Sequence, residues 1–220
     1  MSTIVPHVPP LPDEAAVRLR AGLLVGGSSR RMGRPKALVE LAGRAFALRV
    51  ADALRGVAPD LALLGEGPVP AELDGLPRIA DAPGLRGPMA AVLAALRASP
   101  DSAWLIAACD QPLASVAACR WVLAARGGGR LAVMPRLVES AVERVAEGER
   151  EPPAEPLLAV YEPGARGPIE ELAASGERSL QAFARRPDVL CPRPPEELTR
   201  AWRSLDDPAD LADAEASLAG

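Results

Sequence analysis

The segment Gly22-Leu-Leu-Val-Gly-Gly-Ser-Ser-Arg-Arg-Met-Gly-Arg-Pro-Lys36 places paired glycines, arginines and a closing lysine directly after an apolar run. Successive glycines let a backbone approach a ligand closely and aim its N–H groups at phosphate. Arg31 and Lys36 then add the positive charge that amides cannot supply. Lys36 is the only lysine among 25 Lys plus Arg. Its ammonium is a compact point charge on a flexible stem, where arginine offers a planar fork. Phosphate loops use such a point charge. No GK[ST] follows and the GxGxxG spacing is absent, so the loop is neither a Walker loop nor a dinucleotide fingerprint. The plainer alternative is a tight turn with solvated basic residues.

Two acidic positions complete the chemistry. Asp110 follows the apolar run Ala103-Trp-Leu-Ile-Ala-Ala108 and Cys109. A carboxylate there suits Mg²⁺, which takes one or two carboxylates plus substrate phosphates and water. Equally, Asp110 is placed to cap a helix after Gln111-Pro112. Asp81 opens Asp81-Ala-Pro-Gly-Leu-Arg-Gly-Pro-Met89. It either accepts hydrogen bonds from a base or ribose, or starts the Pro-Gly turn. Asp206 and Asp207 precede the last helical stretch, where a cap is the simple reading. Cys109 reads as a small buried apolar residue rather than a nucleophile.

Composition narrows the field. A net charge of −4 gives no basic field for nucleic acid. Three widely spaced cysteines without a CxxC pair argue against zinc and against a disulfide framework. They fit a reducing, cytoplasmic setting. The single histidine, His7, lies in a Pro-rich stretch, which argues against histidine catalysis. No run of 18 apolar residues spans a membrane, and no signal pattern opens the chain.

These residues need a scaffold that brings them together. Residues 1–20 read as a flexible, Pro-rich lead-in and 21–220 as one domain. Strands are expected at 21–25, 60–64, 77–80, 103–108, 130–134, 157–161 and 189–191. Helices are expected at 46–54, 88–96, 113–125, 167–174, 179–185 and 209–218, with Pro88 in a first turn. Residues 136–156 are charged and Pro-rich and receive no element. The alternation implies an α/β fold: a doubly wound, mostly parallel sheet with helices on both faces. Ligands collect beyond the C-terminal strand ends of such sheets. The loop after Val25, Asp81 and Asp110 all fall there.

Taken together, the segments resemble the molybdenum cofactor guanylyltransferases, within the nucleotidyltransferase-fold family. GGSSRRMGRPKALVEL is similar to that family's LAGGxSxRMGxxK loop. DAPGLRGPMAAVLAAL is similar to its D…GPLAG segment, and ACDQPL to its CDxP metal site. PLLAVY, ERSLQAF and SLDDPADL match later blocks, so the resemblance runs from about Ala21 to the C-terminus. In the last block Ser204 and Asp206 stand where the family carries asparagines.

The resemblance implies a Rossmann-like nucleotidyltransferase fold. It implies GTP bound through Leu24, Val25, Gly26 and Gly27, with Lys36 and Arg31 on the phosphates. It implies a nucleotide contact at Asp81, and Mg²⁺ plus nucleotide at Asp110. The implied reaction joins GMP to molybdopterin bearing molybdenum and releases pyrophosphate. Further implied partners are other cofactor-assembly proteins and acceptor molybdoenzymes, with no nucleic acid and no membrane. The Gly-Arg-Pro-Lys36 stretch keeps a cytidylyltransferase reading open. The altered Ser204-Leu-Asp206 element keeps open a non-catalytic carrier of nucleotide or cofactor.

Overall fold

The structure, a computed structural model, describes residues 17–26, 33–137 and 152–219. The chain runs through strand β1 (Arg18–Leu24), a 3-10 turn at Lys36–Leu38, and the short strands β2 (Glu40–Leu41) and β3 (Arg44–Ala45). Helix α1 (Phe46–Arg55) and strands β4 (Leu61–Leu64) and β5 (Arg78–Ile79) follow. Next come helix α2 (Pro88–Ala98), strand β6 (Ser102–Ala108) and helix α3 (Val116–Ala124). After strands β7 (Ala132–Val133) and β8 (Ala159–Tyr161) lie helices α4 (Arg166–Ala174) and α5 (Leu180–Ala184). Strand β9 (Val189–Leu190) and helices α6 (Glu196–Thr199) and α7 (Pro208–Ala219) close the fold.

Seven strands form one sheet in the order β5-β4-β1-β6-β8-β7-β9. β1 pairs in parallel with β4 and β6, β4 with β5, and β7 with β9. β8 runs antiparallel to both β6 and β7. The expected doubly wound, mostly parallel α/β sheet is therefore present. Every residue of β6 is buried, as a strand covered on both faces requires. Its alternation divides the core in two. Leu105 and Ala107 pack with α1 and α3, while Trp104 and Ile106 pack with α2, α4 and α5.

Several boundaries differ from the sequence expectation. β1 begins at Arg18, inside the stretch expected to be lead-in. α3 begins at Val116 rather than Leu113, because Ser115 is its cap: the hydroxyl accepts from the Ala118 N–H at 3.2 Å. The capping role allowed for Asp110 is thus absent. The β2–β3 pair and α6 had no counterpart in the sequence reading. Of the unplaced stretch 136–156, residues 138–151 lie outside the described residues, and Arg136 bridges to Ala154.

A third, small core decides where the site lies. Val39, Leu41, Phe46, Leu205 and Ala214 are buried together, with Leu113 and Leu211 packed against them. This cluster fastens α7 and the segment before it to the Lys36 turn and the β2–β3 pair. On the other side of the sheet's C-terminal edge, Gly65-Glu66-Gly67 presses on the end of β1. A Cβ on Gly67 would lie 1.8 Å from the Val25 carbonyl oxygen, so only glycine fits. Gly65 holds φ +89°, a left-handed value that favours glycine. Arg78 Nη1 fixes the loop by donating to the carbonyls of Gly67 (2.9 Å) and Gly65 (3.3 Å). Gly67→Ala should force the loop off β1, an overpacking cost of about 1–3 kcal/mol. Thermal unfolding should show a midpoint several degrees lower; an unchanged midpoint would contradict the close approach.

Candidate functional site

The C-terminal ends of β4, β1 and β6 lie side by side, and the chain leaves each toward one rim. Val25 N–H donates to the Leu64 carbonyl at 3.0 Å, and Cys109 N–H to the Leu24 carbonyl at 3.0 Å. Leu24, Val25 and Gly26 thus sit where the sequence placed them, at the rim's centre. Gly27 and Arg31 lie outside the described residues.

Lys36 and Asp110 come together across 74 residues of sequence. The Lys36 ammonium donates to Asp110 Oδ2 at 2.9 Å. The same ammonium also donates to Asp206 Oδ1. Side-chain exposures of 17% for Lys36, 26% for Asp110 and 52% for Asp206 make the lysine the inner member. Burial alone would lower its pKa. The hydrogen bonds to Asp206 and Asp110, with their charges, outweigh burial and hold it above the ordinary 10.5. Asp206 is the residue that the sequence reading left at a simple cap. That role falls to Asp207, whose Oδ1 accepts from the N–H groups of Ala209 and Asp210 at 2.9 and 3.0 Å.

Backbone bonds hold this cluster in place. Leu205 N–H donates to the Asp110 carbonyl at 2.9 Å, so the 205–206 segment is tied to the turn after β6. Gln111, only 2% exposed, braces the same turn. Its Oε1 accepts from Ala108 N–H at 3.1 Å, and its Nε2 donates to the Trp202 carbonyl at 3.4 Å. A buried polar side chain that bonds on both ends rigidifies what it joins.

Asp81 is not part of this cluster. It follows β5, the third strand from β6 in the sheet order. Its Oδ1 lies 3.9 Å from where a Cβ on Gly65 would stand, and Gly26 N is 3.4 Å from that point. Desolvation first, and the Glu66 charge second, raise its carboxyl above the usual range. The residue nevertheless stays open at the surface. A raised carboxyl in a rim of this kind marks a ligand-contact candidate. Glu66 is thereby a rim residue too. Cys109 is sealed: burial first, then the Asp110 charge, push its thiol up to about 12. It is not a nucleophile at neutral pH.

The arrangement offers a glycine-bounded backbone edge, one ammonium, and two carboxylates that converge on one cation position. Two hard oxygen donors around a positive charge fit a divalent ion in kind.

The family described as MobA-like NTP transferase domain matches residues 21–189. A molybdenum cofactor guanylyltransferase of Rhizobium meliloti strain 1021 is 40% identical over 121 residues, 51% of this chain and 56% of that protein. A probable molybdenum cofactor guanylyltransferase of Opitutus terrae is 33% identical over 172 residues, 76% of this chain and 78% of that protein. Among solved structures, molybdopterin-guanine dinucleotide biosynthesis protein A of Archaeoglobus fulgidus superposes with a TM-score of 0.68 at 21% identity. It covers 91% of this chain and 98% of its own. The 2-C-methyl-D-erythritol 4-phosphate cytidylyltransferase of Thermus thermophilus superposes with 0.59 at 18% identity, over 90% and 98%. These structural likenesses establish the fold.

Two outcomes test the geometry. Because Lys36 is the only lysine, reductive methylation with ¹³C labels one side chain beside the α-amino group, which titrates near 7.7–8.0. The Lys36 signal should titrate above 10.5 and move down in Asp206→Asn; an unmoved midpoint would contradict the bond. The sign for stability follows. With the folded pKa above the unfolded one, this contribution is complete below pH 10.5 and is lost as pH rises through the folded value. For Asp81 the fold disfavours the ionised form, so Asp81→Asn should not lower the thermal midpoint at pH 7 while it weakens nucleotide binding. A clear drop in midpoint would assign Asp81 to structure instead.

Proposed function

The chain belongs to the MobA-like NTP transferase family, and from that premise we propose that it transfers GMP from GTP to molybdopterin bearing molybdenum, with release of pyrophosphate. The observation that carries this reading is the single ammonium of Lys36, placed at the rim of a nucleotidyltransferase sheet and held by Asp110 and Asp206. It is supported by relatives named for that reaction, one of them matched across 78% of its length.

The acceptor phosphate of molybdopterin attacks the α-phosphorus of GTP in line. The bond from that phosphorus to the bridging oxygen of the β-phosphate breaks, and pyrophosphate leaves with its electron pair. The chain's work is positioning and charge. The backbone edge from Leu24 to Gly26 faces the phosphates, with Gly27 as a further contact. Lys36 turns from its two carboxylates to the β- and γ-phosphates, joined by Arg31, and stabilises the charge gathering on the leaving group. Asp81, with Glu66, holds the nucleoside end. No covalent intermediate is formed, in keeping with the sealed Cys109.

The Asp110 and Asp206 carboxylates released by Lys36 would hold Mg²⁺. The bound ion supplies charge neutralisation on the phosphates it touches. Cofactor-assembly proteins and acceptor molybdoenzymes are the expected partners of the product. Three free cysteines suit a reducing cytoplasm. Among the described residues no helix is long and apolar enough to cross a membrane.

Removal of a preorganised charge of this type costs on the order of 10²–10³ in rate. Lys36→Ala should therefore lose most pyrophosphate release under single-turnover conditions. Lys36→Arg should recover only part, because a fork does not fit a point-charge position. Unchanged turnover in Lys36→Ala would overturn the assignment.

A further inference from the structure

A cavity of about 500 Å³ lies at the other end of the sheet and has no part in the transfer site. It is lined by Arg136, Arg185, Arg186 and Arg193, with Pro152, Ala184, Val189 and Cys191. The chain has 24 arginines in 220 residues, about one residue in nine. Half of the lining is arginine, in a protein whose net charge is −4. Like charges converge at that density against the overall balance only where something offsets their repulsion.

Arg186 is neutralised internally: it forms a two-pronged pair with Asp188, Nε to Oδ1 and Nη2 to Oδ2, both at 2.9 Å. Arg136 Nη1 donates to the Pro152 carbonyl at 3.3 Å, which anchors its guanidinium at the floor. Arg185 and Arg193 are exposed, and neither donates a hydrogen bond or makes a salt bridge among the described residues. Glu177 feels the charge of Arg185, but its carboxylate is occupied by the N–H groups of Arg178 and Ser179.

The floor beneath these side chains is built. Arg136 N–H donates to the Pro192 carbonyl at 3.0 Å, extending the β7–β9 pairing past both strand ends. Gln181 brackets Ala154 with two bonds, its Oε1 accepting at 2.9 Å and its Nε2 donating at 2.7 Å. Cys191 Sγ donates to the Ala184 carbonyl at 3.6 Å. The cavity is of ligand size. Arg136 and Arg193 follow the C-terminal ends of the parallel strands β7 and β9.

We propose that this arginine-lined cavity is a second anion site, separate from the Lys36 cluster, that takes a phosphate or diphosphate group on a small molecule. Planar guanidinium forks pair with phosphate oxygens two at a time, which suits a compact anion held by several arginines better than a diffuse acidic surface. The group comes either as free inorganic anion or as the phosphate ester of a larger molecule.

The test is calorimetric titration of the full chain at about 0.15 M salt with inorganic pyrophosphate and, separately, with phenyl phosphate. Lys36→Met, which keeps the apolar stem of the lysine, should still bind one pyrophosphate saturably. Arg185→Ser with Arg193→Ser, both at exposed positions, should weaken that site about tenfold or more. The paired Arg→Lys changes should recover part of the affinity. Tighter binding of pyrophosphate assigns the free anion, and tighter binding of phenyl phosphate assigns an ester. Loss of all saturable binding in Lys36→Met, or no effect of the paired serine changes, would overturn the second site.

Discussion

The ion cluster of Lys36 with Asp110 and Asp206 is the interaction on which the rim depends. It gathers three segments that are far apart in sequence onto one nitrogen atom. An ammonium that loses part of its hydration needs compensating carboxylates. Here the compensation is strong enough to hold the proton more firmly than water does. The cluster in turn requires the packing beneath it. Leu205 is buried in the small core with Phe46 and Val39, and its N–H donates to the Asp110 carbonyl. Asp206 therefore reaches Lys36 because its neighbour is an apolar anchor. An arrangement of this kind is closed by the protein's own charges.

The far side of the rim is organised by backbone contact instead of charge. Gly67 leaves no room for a side chain against the Val25 carbonyl, and Arg78 holds the same loop through two carbonyls. Backbone of this rigidity brings Asp81 and Glu66 beside Gly26. Their mutual repulsion adds to desolvation in raising Asp81. The site is thus polar in two senses. Cationic and metal-compatible groups sit near β6, and hydrogen-bond acceptors sit near β5. A nucleotide, with an anionic end and a base end rich in N–H donors, matches that polarity.

Much of this was legible from residue types. The apolar runs at 21–25 and 103–108 had to be interior strands, and glycines, Lys36 and Asp110 at their ends had to face one edge. The direct bond between Lys36 and Asp110 was not legible: the sequence put the lysine on phosphates and the carboxylate on a metal or a cap. Asp206 was not legible as a site residue, because no local pattern distinguishes a helix cap from a carboxylate held by a contact 170 residues away. The same ambiguity ran in reverse at Asp110, where Ser115 took the cap. The β2–β3 pair has strands of two residues, too short for alternation to register. The position of Glu66 on the rim depends on how Gly67 docks on Val25, which no local pattern shows.

The fold alone does not choose a base, since it is shared with a cytidylyltransferase. The most direct measurement is mass-spectrometric identification of the dinucleotide formed from molybdopterin bearing molybdenum, Mg²⁺ and an equimolar mixture of GTP, CTP and ATP. The account predicts the guanine dinucleotide as the dominant product, absent in Asp110→Ala. A dominant cytosine dinucleotide, or no dinucleotide from protein that binds GTP, would contradict it.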